Sequence, residues 1–524
     1  MENPKSEDGG YDVVVIGSGY GGSVAACRMS IAGFKVCLLE KGRKWEAQDF
    51  PTDSFKMLSA VRVENRNVGI NFGPKDALFQ VHLQDDAAAV TACGLGGGSL
   101  INAGVLLSTS ARARRNPRWP KSWEEDWEKC EASALQMLRA QKIPLKFQNS
   151  KIMEGVLGEE FDKSINNNMK VSMNFDIEQV SDSRVSQETG SCLACGNCLS
   201  GCPYNAKNST DRTYLVSAIQ AGCTIKTECE VQYVLSNKEN TCNKDGRSKR
   251  RSERRWLVFL NEFDYIASDI VILSAGVFGT AKILFQSQLR GLAVSEKLGS
   301  GLSCNGNNVA YVAESSAPLN AIGLNRNQFS NIPFQERPGP SISSAYTSLG
   351  FTIQSAVIPT AYPSFLFKGI TTYGWQSSYW LLHGITDRIK RVLGSKSGQE
   401  IILNAMGHDD SSGKLTFEKE TNRILFQPPH DHLLPRKIEA FEKIAKKIGG
   451  VLFMSKYRST SVHLLGGCIA STDVSSGVCN PNGQVFDTTS PSGVHSGLIF
   501  VMPRYYRVLL ESTLVSLLLQ LLSM

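Results

Sequence analysis

Apolar positions in YDVVVIGSGYGGSVAACRMSIAGFKVCLLEKG, residues 11–42, fall into three blocks separated by glycine. Residues 13–16 form an unbroken β-branched run, the pattern of a strand covered on both faces. Residues 23–31 mix small and apolar side chains without proline and predict a helix. Residues 36–39 are again continuously apolar, so the block predicts strand, helix, strand. Farther on, residues 119–143 have the amphipathic spacing of a packing helix. Residues 221–236, 256–260 and 269–273 read as strands of a meander. SAGVFGTAKIL, residues 274–284, then repeats the strand–glycine–helix transition. From 310 to about 381 short apolar runs alternate with Pro, Gly and Ser, and aromatics are dense between 362 and 380. That composition suits a sheet core or the wall of an apolar cavity. Residues 435–448 read as a helix, with Pro435 where a first turn tolerates it.

Length and composition refine this picture. A chain of 524 residues exceeds one simple core and predicts two or three intertwined domains. The formal charge is +7, but RSKRRSERR, residues 247–255, carries six basic residues and one acid. Outside that segment the chain is nearly neutral. Because it lies between two strand-like runs, a solvated hairpin loop accounts for it, and no nucleic-acid partner is expected. The first ten residues, MENPKSEDGG, hold no apolar signal segment. Fourteen cysteines without such a segment predict free thiols in a reducing compartment. The expected location is cytoplasmic or peripheral to an intracellular membrane, with peripheral contact the most that membrane association requires.

The glycines carry the candidate chemistry. Gly17, Gly19 and Gly22 form G-x-G-x-x-G at the end of the first strand, with Ser18 inside the turn. They permit a tight turn, backbone approach to a pyrophosphate and close helix–strand packing. The helix N-terminus beyond them offers unpaired N–H groups to phosphates. Glu40 ends the second strand, where a carboxylate meets ribose hydroxyls in dinucleotide sites. CGLGGGSLINAGVLL, from Cys93, bunches Gly94, Gly96, Gly97 and Gly98 ahead of Asn102. Such bare backbone admits a flat or charged ligand. Ala275 and Gly276 sit at the second strand–glycine–helix turn and can approach a dinucleotide from the other side. Cys192, Cys195, Cys198 and Cys202, followed by Pro203, match C-x2-C-x2-C-x3-C-P. Two readings stay open for them, an iron–sulfur cluster completed by a remote thiol such as Cys223 or Cys229, and packed reduced thiols; no metal site is assigned.

These motifs together resemble the glucose–methanol–choline (GMC) flavoprotein oxidoreductases. Within them the chain looks most like the cholesterol-oxidase-like and long-chain-alcohol-oxidase-like branch. GSGYGG at Gly17, LEKG at Leu39, GLGGGSLINAG at Gly94 and GCPYNAKNSTDRTYL at Gly201 carry the resemblance. ECEV at Glu228, SAGVFGTAKIL, LGSGLSCNGN at Leu298 and HLLGGC at His463 complete it. The resemblance implies an α/β (α+β) fold, a Rossmann-like FAD-binding domain interleaved with an antiparallel-sheet substrate domain. The implied boundaries are 8–305 for the FAD domain, 306–460 for the substrate domain and 461–498 for a return to the first. It implies FAD rather than NAD, held by Gly17, Ser18, Gly19, Gly22 and Glu40 at the ADP half. Gly97, Gly98 and Asn102 would lie near the isoalloxazine, and the Val231 backbone near the adenine. His463 takes the place of the family's active-site histidine. The implied reaction oxidises a CH–OH group of a hydrophobic alcohol, sterol or long-chain, with oxygen or an electron carrier as acceptor. A histidine titrating near neutrality (~6.5) suits removal of the hydroxyl proton. In that setting the cysteine loop belongs to the branch.

Two departures accompany the resemblance. Cholesterol oxidases use a substrate-domain glutamate to move the sterol double bond, yet residues 341–386 hold no Asp or Glu. Gln354 is the nearest polar candidate, and an amide cannot shuttle a proton. The family also ends in a strand, an Asp-(Gly/Ala)-Ser turn and Asn-Pro on a last helix. This chain ends GLIFVMPRYYRVLLESTLVSLLLQLLSM. Shifting the codons from Phe500 onward by one frame permits Cys-Asp-Ala-Ser and, later, Asn-Pro. Residues 499–524 are therefore expected to be an out-of-frame tail, and the chain as written an inactive, poorly soluble product. A tail anchor is unexpected because Glu511 interrupts the leucine run.

Overall fold

The computed structural model describes residues 10–108, 115, 121–159, 161–163, 169–175, 190–237, 254–348, 350–362, 399–455, 457, 459–490 and 493–501. The basic residues 247–253, the aromatic stretch 363–380 and residues 502–524 lie outside them.

The first strand, β1, spans Tyr11–Ile16, helix α1 Tyr20–Ile31 and strand β2 Val36–Leu39. The helix starts three residues earlier than its apolar pattern, because Gly21 and Gly22 are themselves buried helical positions. An eight-stranded sheet grows from this unit. Thr224–Lys226, β2, β1, Tyr265–Leu273 and Val494–Phe500 are successive parallel neighbours. Tyr233–Ser236 and Trp256–Phe259 extend it antiparallel from Tyr265–Leu273. Val13, Val14 and Val15 are fully buried, as a strand covered on both faces requires. One cluster, with Val15, Val24 and Leu38, fills one side of the sheet, and another, with Val14, Leu39 and Leu273, fills the other.

The structure corrects two expectations. Residues 221–236 are not one strand. Thr224–Lys226 pairs with β2 at the far edge, and the chain breaks at Glu228, whose φ is +56°, before Tyr233–Ser236 joins the meander. Residues 119–143 are helical only over Trp127–Met137, with a 3-10 turn at Lys121–Trp123 and a short strand at Gln141–Lys142. Arg139, with φ +49°, reverses the chain after that helix. Ile499 and Phe500 are register partners of Ile272 and Leu273, and both are buried. Their apolar side chains complete the two faces of the sheet.

Among the described residues two five-stranded sheets and two three-stranded ones accompany it. Ile342–Ser348, Phe351–Ala356, Ile401–Gly407, Asn308–Ala313 and Val451–Met454 form an antiparallel sheet in that order. Helix Leu434–Lys447 covers it through Phe441, Ile444 and Ala445. The second is ordered Ser459–Ser461, Ala87–Ala92, Phe79–Gln84, Val61–Asn65, Ile70–Phe72. Among the described residues no helix is long and apolar enough to cross a membrane.

Candidate functional site

The first glycine turn is a close-packed joint with one open side. At Gly17, φ is +95° and an added Cβ would lie 2.4 Å from the Ser274 carbonyl oxygen. At Gly22 it would lie 1.8 Å from the Gly17 carbonyl oxygen, so only glycine lets α1 sit this close to β1. Gly19 differs, because nothing stands within 4 Å of its added Cβ. The joint is backbone on one side and open on the other.

The second glycine turn closes against the first. Strand Ala87–Ala92 delivers Gly94, Gly96 and Gly97, all at positive φ, followed by a 3-10 turn over Gly97–Leu100. An added Cβ at Gly97 would come 2.8 Å from Gly19 Cα, whereas one at Gly98 meets nothing within 4 Å. Asn102 donates from Nδ2 to Tyr20 Oη at 2.8 Å and accepts from the Gly104 N–H at 2.8 Å. Lys207, almost fully buried, donates from Nζ to the carbonyls of Leu100, Asn102 and Cys198. It ties this turn to the cysteine loop. Lys207 lies in the GCPYNAKNST motif, but its separation of 107 and 105 residues from Leu100 and Asn102 hides that role from local patterns.

Glu40 joins the two turns. Its Oε2 accepts from the Ser18 N–H at 3.0 Å and from Ser18 Oγ at 2.6 Å, and its Oε1 from the Gly42 N–H at 2.8 Å. Ser18 Oγ in turn accepts from the Gly96 N–H at 2.9 Å. Burial pushes the Glu40 carboxyl above its ordinary range, while hydrogen bonds from Ser18, Gly42 and Gly94 oppose the shift. A folded value above the unfolded one means the folded chain holds this proton more tightly. The group's stabilising contribution is therefore full below the unfolded value and lost as pH rises through the folded value. The cofactor-free chain should melt at a lower temperature as pH rises past the ordinary glutamate range. Glu40→Gln should flatten that part of the melting curve against pH; an unchanged slope would contradict this reading.

The remaining predicted cofactor residues border the same joint. Val231 is buried in the core cluster that also holds Ile16 and Leu39, and the Cys229 N–H reaches the Glu40 carbonyl at 2.8 Å. Ser274 donates from its N–H to the Ile16 carbonyl, Ala275 caps helix Gly276–Gln288, and Gly276, at φ +73°, faces open space. The chain therefore presents three open glycines, Gly19, Gly98 and Gly276, around backbone that is otherwise in contact. That arrangement fits a pyrophosphate and a flat ring better than a bare surface turn would.

His463 arrives from another direction. Ser459–Ser461 pairs parallel to Ala87–Ala92, so the chain leaves both strands at the same end of the sheet. His463 and the second glycine turn are thereby delivered to one side. His463 is exposed, and its Nδ1 lies 2.7 Å from Asn307 Oδ1. Asn307 Nδ2 donates to Asn404 Oδ1 at 2.6 Å, so the carboxamide oxygen is the atom facing the imidazole. The network assigns the proton to Nδ1, which leaves Nε2 as the basic nitrogen. Gln354 is buried in register with Asn404, on the same face of the antiparallel sheet. Asn307 and Asn404 were not among the predicted site residues, although Asn307 stands in the LGSGLSCNGN motif.

The cysteine loop is packed. Cys195 and Cys198 are buried, Cys198 Sγ contacts Met173 Sδ at 3.9 Å, and Cys202 Sγ accepts from the Ala206 N–H. Burial first, then the neighbouring thiols, pushes the Cys192, Cys195 and Cys198 thiols up. Among the described residues no group of three or more His, Cys, Asp or Glu is arranged to hold a metal.

The family model described as GMC oxidoreductase matches residues 11–304, more than half of the chain. A cholesterol oxidase of Acinetobacter baumannii is 28% identical over 333 residues, covering 58% of this chain and 55% of that protein. A cholesterol oxidase of Mycobacterium tuberculosis (strain ATCC 25618 / H37Rv) is 24% identical over 522 residues, covering 91% of this chain and 85% of that protein. The Arabidopsis thaliana long-chain-alcohol oxidase FAO3 is 30% identical over 243 residues, 46% of this chain and 29% of that protein. The matched stretch thus spans about half the length of the Acinetobacter relative and most of the Mycobacterium one.

Proposed function

The chain belongs to the GMC oxidoreductase family, and from that premise we propose that it binds FAD and oxidises the hydroxyl of a hydrophobic alcohol, sterol or long-chain. The observation that carries this reading is the cradle of open glycines, Gly19, Gly98 and Gly276, set beside the end of a sheet that also delivers His463. The Rossmann-like arrangement of the parallel sheet and the division at about 305 and 460 are part of the same reading. The sheet built on β1 supports the first domain and the sheet around Asn308–Ala313 the second.

Bound FAD supplies the hydride acceptor. The protein's own residues do the rest. Gly17, Gly19 and Gly22 let backbone approach the pyrophosphate, with Ser18 and Glu40 fixing the turn and Val231 beside the adenine. Gly97, Gly98 and Asn102 would border the ring, and Ala275 and Gly276 would approach the dinucleotide from the other side. His463 accepts the hydroxyl proton at Nε2 while Nδ1–H stays on Asn307. Oxygen or an electron carrier then re-oxidises the enzyme; the names of the relatives favour oxygen.

FAD titrated into the purified protein should bind with quenching of its fluorescence, and a chain that takes up no FAD would refute the reading. Gln354 makes a second prediction. Its amide cannot carry a proton, so a sterol with an isolated ring double bond should leave as the unconjugated ketone. Product with conjugated-enone absorbance, formed at the rate of alcohol oxidation, would show that another residue moves the bond.

A further inference from the structure

The loop that carries Asn307 is held by charges that no part of the proposed chemistry uses. Residue Lys437 lies on helix Leu434–Lys447 with its side chain fully buried. Its Nζ donates to the Gly306 carbonyl and, at 2.8 Å, to Asp431 Oδ2. Asp409 Oδ2 grips the same loop from its N–H side, accepting from Cys304 at 2.8 Å and from Gly306 at 3.0 Å. Gly306 is thus fixed at its N–H by a carboxylate and at its carbonyl by an ammonium. Its φ is +47°, and an added Cβ would lie 2.8 Å from Lys437 Nζ.

The next residue is Asn307, fully buried, whose carbonyl accepts from the Thr460 N–H and whose side chain accepts from His463. The peptide between Gly306 and Asn307 sets where the Asn307 side chain starts. Two charge-assisted hydrogen bonds on Gly306 therefore reach the imidazole through one residue. Burying an ammonium costs desolvation that an apolar residue of similar length avoids, so the ion pair is poor evidence for stability alone. Its effect here is orientation.

We propose that Lys437, assisted by Asp409, is a positioning residue for His463, holding Asn307 so that His463 keeps its proton on Nδ1 and turns Nε2 outward. This rests on His463 being the base, but the tautomer can be read without any turnover. The full chain labelled with imidazole-15N histidine shows the tautomer of each of its seven histidines, and His463→Gln assigns the signal.

In the unaltered protein the neutral His463 signal should be the Nδ1–H form. In Lys437→Met the ratio should move roughly fivefold toward Nε2–H, the equivalent of one hydrogen bond of about 1 kcal/mol. Lys437→Arg, which keeps a cation, should restore part of the shift. Should Lys437→Met not fold, Asp409→Asn weakens the other grip from a partly exposed position and should move the ratio the same way. A folded Lys437→Met, or else Asp409→Asn, with an unchanged His463 tautomer overturns the proposal, as does an Nε2–H form in the unaltered chain. Loss of the base assignment would show separately, as full alcohol-dependent flavin reduction in His463→Ala with the tautomer results intact.

Discussion

In a chain whose ending is restored to the shifted frame, His463→Ala is expected to slow alcohol-dependent flavin reduction by roughly 10²–10⁴-fold, the range set by removing a positioned general base. The reason is local. The Asn307 contact directs the Nδ1 proton inward, and the proposed reaction uses Nε2 to take the hydroxyl proton. Alanine removes that nitrogen and puts nothing in its place. Flavin content should not change, since the glycine turns are joined through Ser18, Glu40 and Gly96 rather than through His463. Anaerobic stopped-flow absorbance of the flavin measures both quantities in one experiment. A variant that keeps flavin and reduces it at the parent rate would remove His463 from the mechanism.

Gly19→Ala and Gly22→Ala should fail in opposite ways, although the two residues are three apart. Gly19 has φ −62°, and its added Cβ meets nothing within 4 Å. The cofactor-free variant should therefore fold and melt like the parent. The methyl would instead occupy the cradle, and an overpacked contact costs about 1–3 kcal/mol, weakening FAD by roughly 5–150-fold. At Gly22 the Cβ would stand 1.8 Å from the Gly17 carbonyl oxygen, which is backbone and cannot turn aside. Helix α1 has to move off β1, so that variant should lose thermal stability even without FAD. Melting temperatures of both cofactor-free variants, followed by FAD titration of whichever folds, test the pair. A Gly19→Ala protein that binds FAD as tightly as the parent would show that the open side of the turn is not the cradle.

The β1–α1–β2 unit was legible because burial on both faces leaves an uninterrupted apolar run and because Gly17 and Gly22 have no steric alternative. Strand β2 was found with its observed bounds. What was not legible depends on contacts between distant segments. Thr224–Lys226 and Tyr233–Ser236 looked like one run, and only the reversal at Glu228 sends them to different edges of the sheet. Glu40 was read as a ribose ligand from its position after β2. That its two oxygens already accept from Ser18 and Gly42 follows from how the turns fold onto each other. Asn307 lies 156 residues from His463, a pairing that local periodicity does not encode. The same holds for Lys437, a lysine whose side chain is fully buried and whose partner Gly306 lies 131 residues away.

The central claim is that a flavin seated among Gly19, Gly98 and Gly276 takes hydride from an alcohol brought to His463. Anaerobic addition of a long-chain primary alcohol or cholesterol, in separate cuvettes, to FAD-loaded protein whose ending is restored to the shifted frame measures it most directly. At least one substrate should bleach the visible flavin band, one equivalent of alcohol per flavin, with colour returning on admission of air or an artificial electron acceptor. Protein that holds FAD firmly yet stays yellow with every hydrophobic alcohol supplied would contradict the account.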